Sequence, residues 1–152
     1  MRGRRVVDID RRQLLGGAAA ALAASAATEA RAESGAVRVG ELSALTPDRP
    51  LWFGYPDGRS PAVALKLGAR VPGGIGPDGD VVAFSAVCTH LGCVVEVRDH
   101  RMVCPCHLSM FDPRVGGRCY QGPAPTGLAR IRLRLEDGVL HAVGADGEVW
   151  GR

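Results

Sequence analysis

The sequence has few aromatic residues and no long apolar run. Phe, Trp and Tyr make up 5% of its 152 residues, whereas Gly occurs 21 times and Pro ten times. So much glycine and proline indicates short strands and turns rather than long helices. We recognise no internal repeat and no second domain, and a body of about 120 residues can bury one modest core.

The body of the chain also lacks net charge. Residues 1–32 contain six Arg and three acidic residues, whereas residues 33–152 contain 13 basic and 13 acidic side chains. The formal net charge of +3 therefore belongs to the N-terminal segment. A neutral body argues against the broad positive surface typical of nucleic-acid binding, so we expect no nucleic acid among the partners.

Residues 1–32 have the pattern of an export signal. Arg11 and Arg12 precede an apolar run from Leu14 to Ala27, and Ala30-Arg31-Ala32 has the small-residue pattern of a cleavage site. This pattern is typical of the twin-arginine (Tat) pathway, which exports folded proteins; a basic tail on an ordinary helix is the alternative. The run of 14 residues is shorter than the about 20 that a spanning helix needs. We predict a periplasmic protein, held at a membrane only if its leader stays uncleaved.

The rest of the chain predicts an all-β domain of short antiparallel strands. Between Arg130 and Leu135, arginine alternates with apolar residues, and this period of two is typical of a half-buried strand. Asp137-Gly138 then predicts a hairpin turn into the next strand. The predicted strands are 36–39, 51–55, 62–67, 81–86, 94–97, 101–103, 130–135, 139–143 and 149–150.

Four of the five cysteines lie in two short motifs that also contain two histidines. The motifs are Cys88-Thr89-His90-Leu91-Gly92-Cys93 and Cys104-Pro105-Cys106-His107-Leu108-Ser109. Thiolates and imidazoles are ligands of iron and zinc, so the two motifs point to a metal site. Zinc is one alternative, although zinc fingers pair Cys with Cys and His with His, and here the two types interleave.

The two motifs resemble those of the Rieske iron–sulfur family, Cys-x-His-x-x-Cys followed by Cys-x-Cys-His. The resemblance implies one 2Fe-2S cluster, with Cys88 and Cys104 on one iron and His90 and His107 on the other. Neutral imidazoles make the site less negative, so the potential rises to about −150 to +300 mV, against about −400 mV for plant-type ferredoxins. The resemblance also implies stacked antiparallel sheets within residues 33–152, with a small inserted cluster-binding subdomain at about 86–125.

The same resemblance assigns roles around the cluster. Cys93 and Cys106 correspond to the family's disulfide, which an exported location favours over two free thiols. Ser109 stands where high-potential members have a serine whose hydroxyl bonds a cluster sulfur. Phe111 stands where they have a tyrosine, so we predict a potential below the highest Rieske values. The other residues implied around the cluster are Leu91, Gly92, Pro105 and Pro123.

Four further candidate residues receive structural interpretations. We expect His100 to be solvated at a hairpin tip and His141 to be packed or half-exposed on a strand. Cys119 is interpreted as a small buried residue, and Asp112 as hydrogen-bonding within its own turn. The chain offers no defensible catalytic nucleophile or acid–base pair, so we expect no substrate chemistry on this chain alone.

Flanking segments are similar to those of arsenite oxidase small subunits. The similar segments are Tyr55-Pro56-Asp57, 60–68, 76–80, 142–147 and 151–152. This resemblance implies a heterodimer with a large molybdopterin-containing subunit, from which the chain passes electrons to cytochrome c or a blue copper protein. The Gly122-Pro123-Ala124-Pro125 loop departs from this pattern and is more similar to the cytochrome bc type.

Several alternative functions stay open at this point. A quinol–cytochrome c reductase subunit would need a firm membrane anchor. A dioxygenase ferredoxin would be cytosolic, with no leader and usually no disulfide cysteines. A related molybdenum enzyme acting on another oxyanion, such as an iodate reductase, fits the same features. The non-redox alternative is a zinc-stabilised binding module, which visible colour on purification would rule out.

Overall fold

The structure is a computed structural model that describes residues 35–149. The predicted export signal, residues 1–32, and Trp150 of the last predicted strand lie outside the described residues. Within the described part, no helix is both long enough and apolar enough to cross a membrane.

The described chain consists mainly of ten antiparallel strands. Their bounds are β1 Val37–Glu41, β2 Leu51–Gly54, β3 Pro61–Lys66, β4 Val81–Ser85, β5 Glu96–Arg98, β6 Arg101–Val103, β7 Met110–Asp112, β8 Arg118–Gln121, β9 Arg130–Glu136 and β10 Val139–Asp146. One sheet has the order β1-β10-β9-β4-β3-β2, and a smaller one has the order β5-β6-β7-β8. Two short 3₁₀ helices span Leu42–Ala44 and Pro113–Val115. The predicted all-β class is confirmed.

Several predicted strand ends differ from the structure, by up to three residues at β10, and three differences have a structural reason. The predicted strand 94–97 begins two residues later, as β5, because Val94 forms an isolated bridge with Val87. Val149 packs against an apolar cluster without joining a strand. Strands β7 and β8 were not predicted, because three or four residues beside a 3₁₀ helix are too short to show a period.

Hairpin turns form where the sequence places residues that tolerate positive φ. Asp137 and Gly138 have φ of 48° and 82°, which closes the predicted turn between β9 and β10. Asp99 and His100 have φ of 47° and 59° at the tip between β5 and β6. The four strands of the small sheet lie in the chain between β4 and β9. They fall within residues 86–125, the range predicted for the cluster-binding subdomain.

One apolar cluster joins the two sheets. Val63 and Phe84 contribute from the large sheet, and Met102 and Phe111 contribute from the small one; all four are fully buried. Cys88 and Cys104 belong to the same cluster. Hydrophobic burial therefore holds the small sheet against the large one and places both cysteines at their junction.

Lys66, at the end of β3, lies between two carboxylates of the following loop. Its Nζ donates to Asp78 and to Asp80, at 3.0 Å each. The side chain of Asp80 is only 2% exposed, and its second oxygen accepts the backbone N–H of Gly68 at 3.1 Å. The hydrogen bonds to Asp78 and Asp80 raise the pKa of Lys66 above its ordinary value of 10.5. This ion cluster closes the glycine-rich loop 68–79 onto the sheet.

Lys66→Met should lower the free energy of unfolding by about 2 kcal/mol near neutral pH, because Asp80 keeps only one backbone donor. The folded pKa of Lys66 lies above its unfolded value, so this stabilisation is complete below pH 10.5 and is lost as pH rises through the folded pKa. Denaturant unfolding of both proteins should show a difference that shrinks above pH 10.5.

The matched control is Arg38→Met, which breaks an exposed ion pair with Glu41. Exposed pairs contribute about 0–1 kcal/mol, so this variant should stay close to the wild type. Equal losses in the two variants, or a Lys66→Met difference that persists at high pH, would contradict the role assigned to Lys66.

Candidate metal centre

The first site loop follows the most deeply buried strand. Every residue of β4 is buried, and the chain continues buried through Val87 to Cys88, which is 1% exposed. The N–H of Cys88 donates to Cys93 O at 2.8 Å, and the N–H of Gly92 donates to Cys88 O at 2.9 Å. Gly92 has a φ of 81°, which favours glycine. The loop thus turns back tightly with the Cys88 side chain inside.

The second site loop repeats this construction after β6. The N–H of Cys104 donates to Ser109 O at 2.8 Å, and the N–H of Leu108 donates to Cys104 O at 3.0 Å. Cys104 is 1% exposed, whereas Leu108 is 58% exposed and has a φ of 58°. In both loops a buried cysteine begins the turn, and an exposed apolar residue lies near its tip, Leu91 in the first and Leu108 in the second.

Cross-links tie the two loops to each other and to a third loop. Cys93 and Cys106 form a disulfide, as the resemblance implied. The hydroxyl of Ser109 accepts the N–H of Ala124 at 3.1 Å. Gly122 allows this approach, because a Cβ there would lie 2.5 Å from the Ser109 Cα. The third loop, 122–125, is therefore fixed beside the second.

A further cross-link joins the first loop to the segment after the third. The hydroxyl of Thr89, a residue between two of the predicted ligands, donates to the carbonyl of Thr126 at 2.7 Å. Thr89 is 6% exposed. Sequence reasoning singled out the loop 122–125 but missed Thr89 and the bond of Ala124, because the partners of these two residues lie 37 and 15 residues away.

The four predicted ligands form two pairs in the structure. Cys88 and Cys104 are both buried, and their side chains interact within the shared apolar cluster. His90 and His107 bring their Nδ1 atoms to 3.2 Å, with ring centroids 4.7 Å apart and planes at 85°. Two nitrogen ligands of one tetrahedral metal ion lie about 3.3–3.4 Å apart, so this separation fits a pair of ligands on one iron.

The surroundings of Cys88 keep its side chain as a neutral thiol unless a cation binds beside it. Burial raises the pKa of the Cys88 thiol, and the neighbouring Cys104 thiol raises it further. The backbone N–H of His90 and the hydroxyl of Ser109 act in the opposite direction. A bound cation stabilises thiolate sulfur in such a buried place, so the donor set fits an iron centre.

The sulfur atoms of Cys93, Cys104 and Cys106 lie within 4.8 Å of one another, a spacing that by itself suits a metal ion. Two of these sulfurs form the disulfide, which leaves Cys104 as the free thiol of the group. We therefore interpret this group as the disulfide lying beside the candidate centre rather than as a separate site.

The other predicted neighbours occupy varied positions. Phe111 is fully buried in the core, and Pro105 and Pro123 are exposed on their loops. The carboxylate of Asp112 accepts the N–H of Arg114 at 2.8 Å, so its predicted local role is confirmed. His141 is half-exposed on β10, as predicted.

Two predictions about neighbouring residues need correction. Cys119 is half-exposed rather than buried, because β8 is an edge strand; its Sγ donates to Gln121 O at 3.3 Å. His100 is only half-exposed, because the tip of its hairpin faces Pro47 and Asp48 across a shallow pocket.

Ser109→Ala should lower the reduction potential of the centre. The Ser109 hydroxyl lowers the pKa of the Cys88 thiol, and a hydroxyl that donates to such a sulfur stabilises it more when the centre carries more negative charge. A difference of about 1.4 kcal/mol between redox states corresponds to about 60 mV for one electron. Redox titration should therefore find a midpoint lower by about 60 mV.

Ser60→Ala is the matched control, since Ser60 is also fully buried but donates to Asp57 at 3.2 Å. Its midpoint should equal that of the wild type. Equal midpoints in Ser109→Ala and the wild type would show that the hydroxyl does not tune the centre.

Comparison with known proteins agrees with this geometry. The family model described as Rieske [2Fe-2S] domain matches residues 62–132. Iodate reductase subunit IdrB of Denitromonas iodatirespirans is 38% identical over 149 residues, covering 91% of this chain and 80% of that protein. IdrB of Pseudomonas sp. (strain SCT) is 38% identical over 119 residues, covering 75% of this chain and 62% of that protein.

More distant proteins share only part of the chain or only its fold. The cytochrome bc1 complex Rieske iron-sulfur subunit of Streptomyces lividans is 43% identical over 68 residues, 42% of this chain and 40% of that protein. The soluble domain of Rieske protein II (soxF) from Sulfolobus acidocaldarius superposes with a TM-score of 0.60 at 24% identity. It covers 72% of this chain and 77% of that structure.

A Rieske domain contains a 2Fe-2S cluster, and the buried thiols and facing imidazoles described above fit that group. The named relatives are subunits of redox complexes. The chain therefore belongs to the Rieske [2Fe-2S] family and is an electron-transfer subunit of the oxidoreductase type.

Proposed function

We propose that Cys88 and Cys104 hold one iron of the cluster and that His90 and His107 hold the other. The observation that carries this assignment is the pair of facing Nδ1 atoms, 3.2 Å apart, together with the two buried thiols of the same two loops. When bound, the cluster supplies one-electron redox chemistry at a potential raised by the imidazole ligands. The disulfide and the Ser109–Ala124 hydrogen bond keep the three loops in place around it.

The candidate centre has a buried side, formed by the two thiols, and a side that reaches the surface, formed by the two imidazoles. The thiols face the apolar core, which excludes water from the sulfur side. His90 is half-exposed and His107 is exposed, so the imidazole side reaches the surface. An electron therefore enters or leaves through the histidine side, where a proton can also be held when the centre is reduced.

The chain then acts within a periplasmic molybdenum oxidoreductase that handles an oxyanion. Its partner is a large molybdopterin-containing catalytic subunit, and a cytochrome c or blue copper protein exchanges electrons with it from outside. The similarity to IdrB over 91% of the chain supports iodate as the oxyanion. The cytochrome bc1 Rieske subunits of Streptomyces lividans and Corynebacterium diphtheriae match only 42% and 43% of the chain, so the support for a quinol-linked complex is weaker.

Arsenite is the second candidate substrate of the complex. The segments around Tyr55-Pro56-Asp57 and Gly76-Pro77-Asp78 are similar to arsenite oxidase small subunits. The two assignments differ in the direction of electron flow. An arsenite oxidase would send electrons from the catalytic subunit into this chain, and an iodate reductase would draw electrons out of it.

Low-temperature electron paramagnetic resonance on the native periplasmic complex tests these assignments. We would record the complex oxidised, then with arsenite, then reduced with dithionite and mixed with iodate. A Rieske signal that dithionite produces and iodate removes would support the iodate assignment. A signal produced by arsenite would favour arsenite oxidase. No signal under any condition would overturn the cluster assignment and favour zinc.

A further inference from the structure

Three sulfur atoms lie close together where the two site loops meet. The Sγ atoms of Cys93, Cys104 and Cys106 are within 4.8 Å of one another. Cys93 and Cys106 form the disulfide, whereas Cys104 carries a free thiol. A free thiol therefore lies directly beside a disulfide bond, and the ligand role proposed for Cys104 makes no use of this arrangement.

A thiol beside a disulfide can exchange with it. The thiolate attacks one sulfur of the disulfide, forms a new bond with that sulfur and expels the other sulfur as a thiolate. The step consumes no oxidant or reductant, because one disulfide bond forms for each one that breaks. Here the attacking and attacked sulfurs belong to the same pair of loops, and such proximity accelerates a reaction relative to the same groups free in solution.

The exposure of the three cysteines favours one direction of exchange. Cys106 is exposed, whereas Cys93 is half-exposed and Cys104 is buried. The expelled sulfur carries a negative charge, which water stabilises best at an exposed position. Attack on Cys93 expels the exposed Cys106 and keeps the two loops joined. Attack on Cys106 would instead expel Cys93 and close a ring of only three residues around Pro105.

We propose that Cys104, when it is not bound to iron, exchanges with this disulfide. Its thiolate attacks the Cys93 sulfur, the Cys93–Cys106 bond breaks, and the Cys106 thiolate takes up the proton that Cys104 released. Iron prevents the step, because a thiolate bound to the metal is not free to attack. After exchange Cys104 no longer offers a ligand, so cluster loss lasts until a reductant opens the new bond. The protection by iron rests on the proposed ligand role of Cys104, whereas the exchange rests on the sulfur positions.

The test identifies the free thiol in a full-length chain that has only one. The double variant Cys88→Ser with Cys119→Ser keeps three cysteines, so one disulfide leaves one thiol. The protein is kept without reductant at about pH 8, where a thiol is partly ionised. It is then quenched with acid, denatured, labelled with N-ethylmaleimide, reduced and digested with trypsin. Fragmentation of the peptide 102–114 locates the label. We expect it on Cys106 in most molecules, rather than on Cys104.

Cys104→Ser with Cys119→Ser is the matched control. This variant also lacks one proposed ligand and keeps the disulfide cysteines, but its free thiol is Cys88. Within residues 35–149, Cys88 belongs to no group of sulfurs spaced as closely as the three described above. Its label should therefore stay on Cys88, with a rearranged fraction at least about tenfold lower than in the first variant. The far-UV circular dichroism spectrum verifies that both variants are folded.

A second measurement needs no ligand replacement. Cys119→Ser alone is labelled with its cluster in place and at intervals after a chelator has removed the iron. The label on Cys104 should fall, and that on Cys106 should rise, only after iron removal. A label that stays on Cys104 without iron, or equal rearrangement in the two double variants, would overturn the proposal. Exchange with the cluster still in place would instead refute the ligand role of Cys104 and keep the exchange itself.

Discussion

Cys88→Ser should abolish the cluster, lowering the iron content from two atoms per chain to about zero and removing the Rieske signal. Cys88 lies in an apolar site, and burial there raises the pKa of its thiol. A negatively charged sulfur is therefore stable at this position only when it is bound to iron. A serine hydroxyl is a poor iron ligand there, and the second thiol cannot hold the iron alone. Iron analysis and low-temperature paramagnetic resonance measure the effect.

The chain offers matched controls for each type of ligand. Cys119→Ser replaces a half-exposed cysteine that lies outside the four proposed ligands, and it should keep the iron and the signal. His107→Gln should lose the signal, whereas His141→Gln should retain it, because His141 lies on β10 of the other sheet. A Cys88→Ser protein with full iron content would overturn the ligand assignment.

The double replacement Cys93→Ser with Cys106→Ser should leave a cluster that is lost much faster. The disulfide closes a loop of 13 residues in sequence separation, and in the chain-entropy model closing such a loop contributes about 3 kcal/mol. If this difference appears wholly in the opening rate, the cluster should bleach about 100-fold faster at the same temperature. The decay of visible absorbance on warming gives the rate.

Two comparisons separate the disulfide from the thiols themselves. Treatment of the wild type with dithiothreitol should reproduce the fast bleaching, because it breaks the same bond. Cys119→Ser should bleach at the wild-type rate. If the double variant also bleached at the wild-type rate, the disulfide would have no part in holding the two loops together.

Most of the candidate site could be predicted from the sequence, because its chemistry depends on residues close together in the chain. The motifs that begin at Cys88 and Cys104 predict the cluster ligands, because cysteine and histidine must follow one another in a fixed order within a tight loop. Likewise, alternation between Arg130 and Leu135 and the Asp137-Gly138 turn predict a hairpin, since period and turn chemistry act over a few residues. The all-β class followed from these short-range signals.

The tertiary structure decided what depends on contacts between distant segments. Strands β7 and β8 exist because they pair across the small sheet, and their sequences are too short to show a period. The Ser109–Ala124 and Thr89–Thr126 bonds form for the same reason. The contact between the Arg101 guanidinium and the Tyr120 ring also arises only when the strands of the small sheet align. The sequence by itself therefore determined the family and the fold class and predicted the ligands, because these depend on neighbours in the chain. The loop cross-links and the outer surface depended on long-range packing, which no local pattern records.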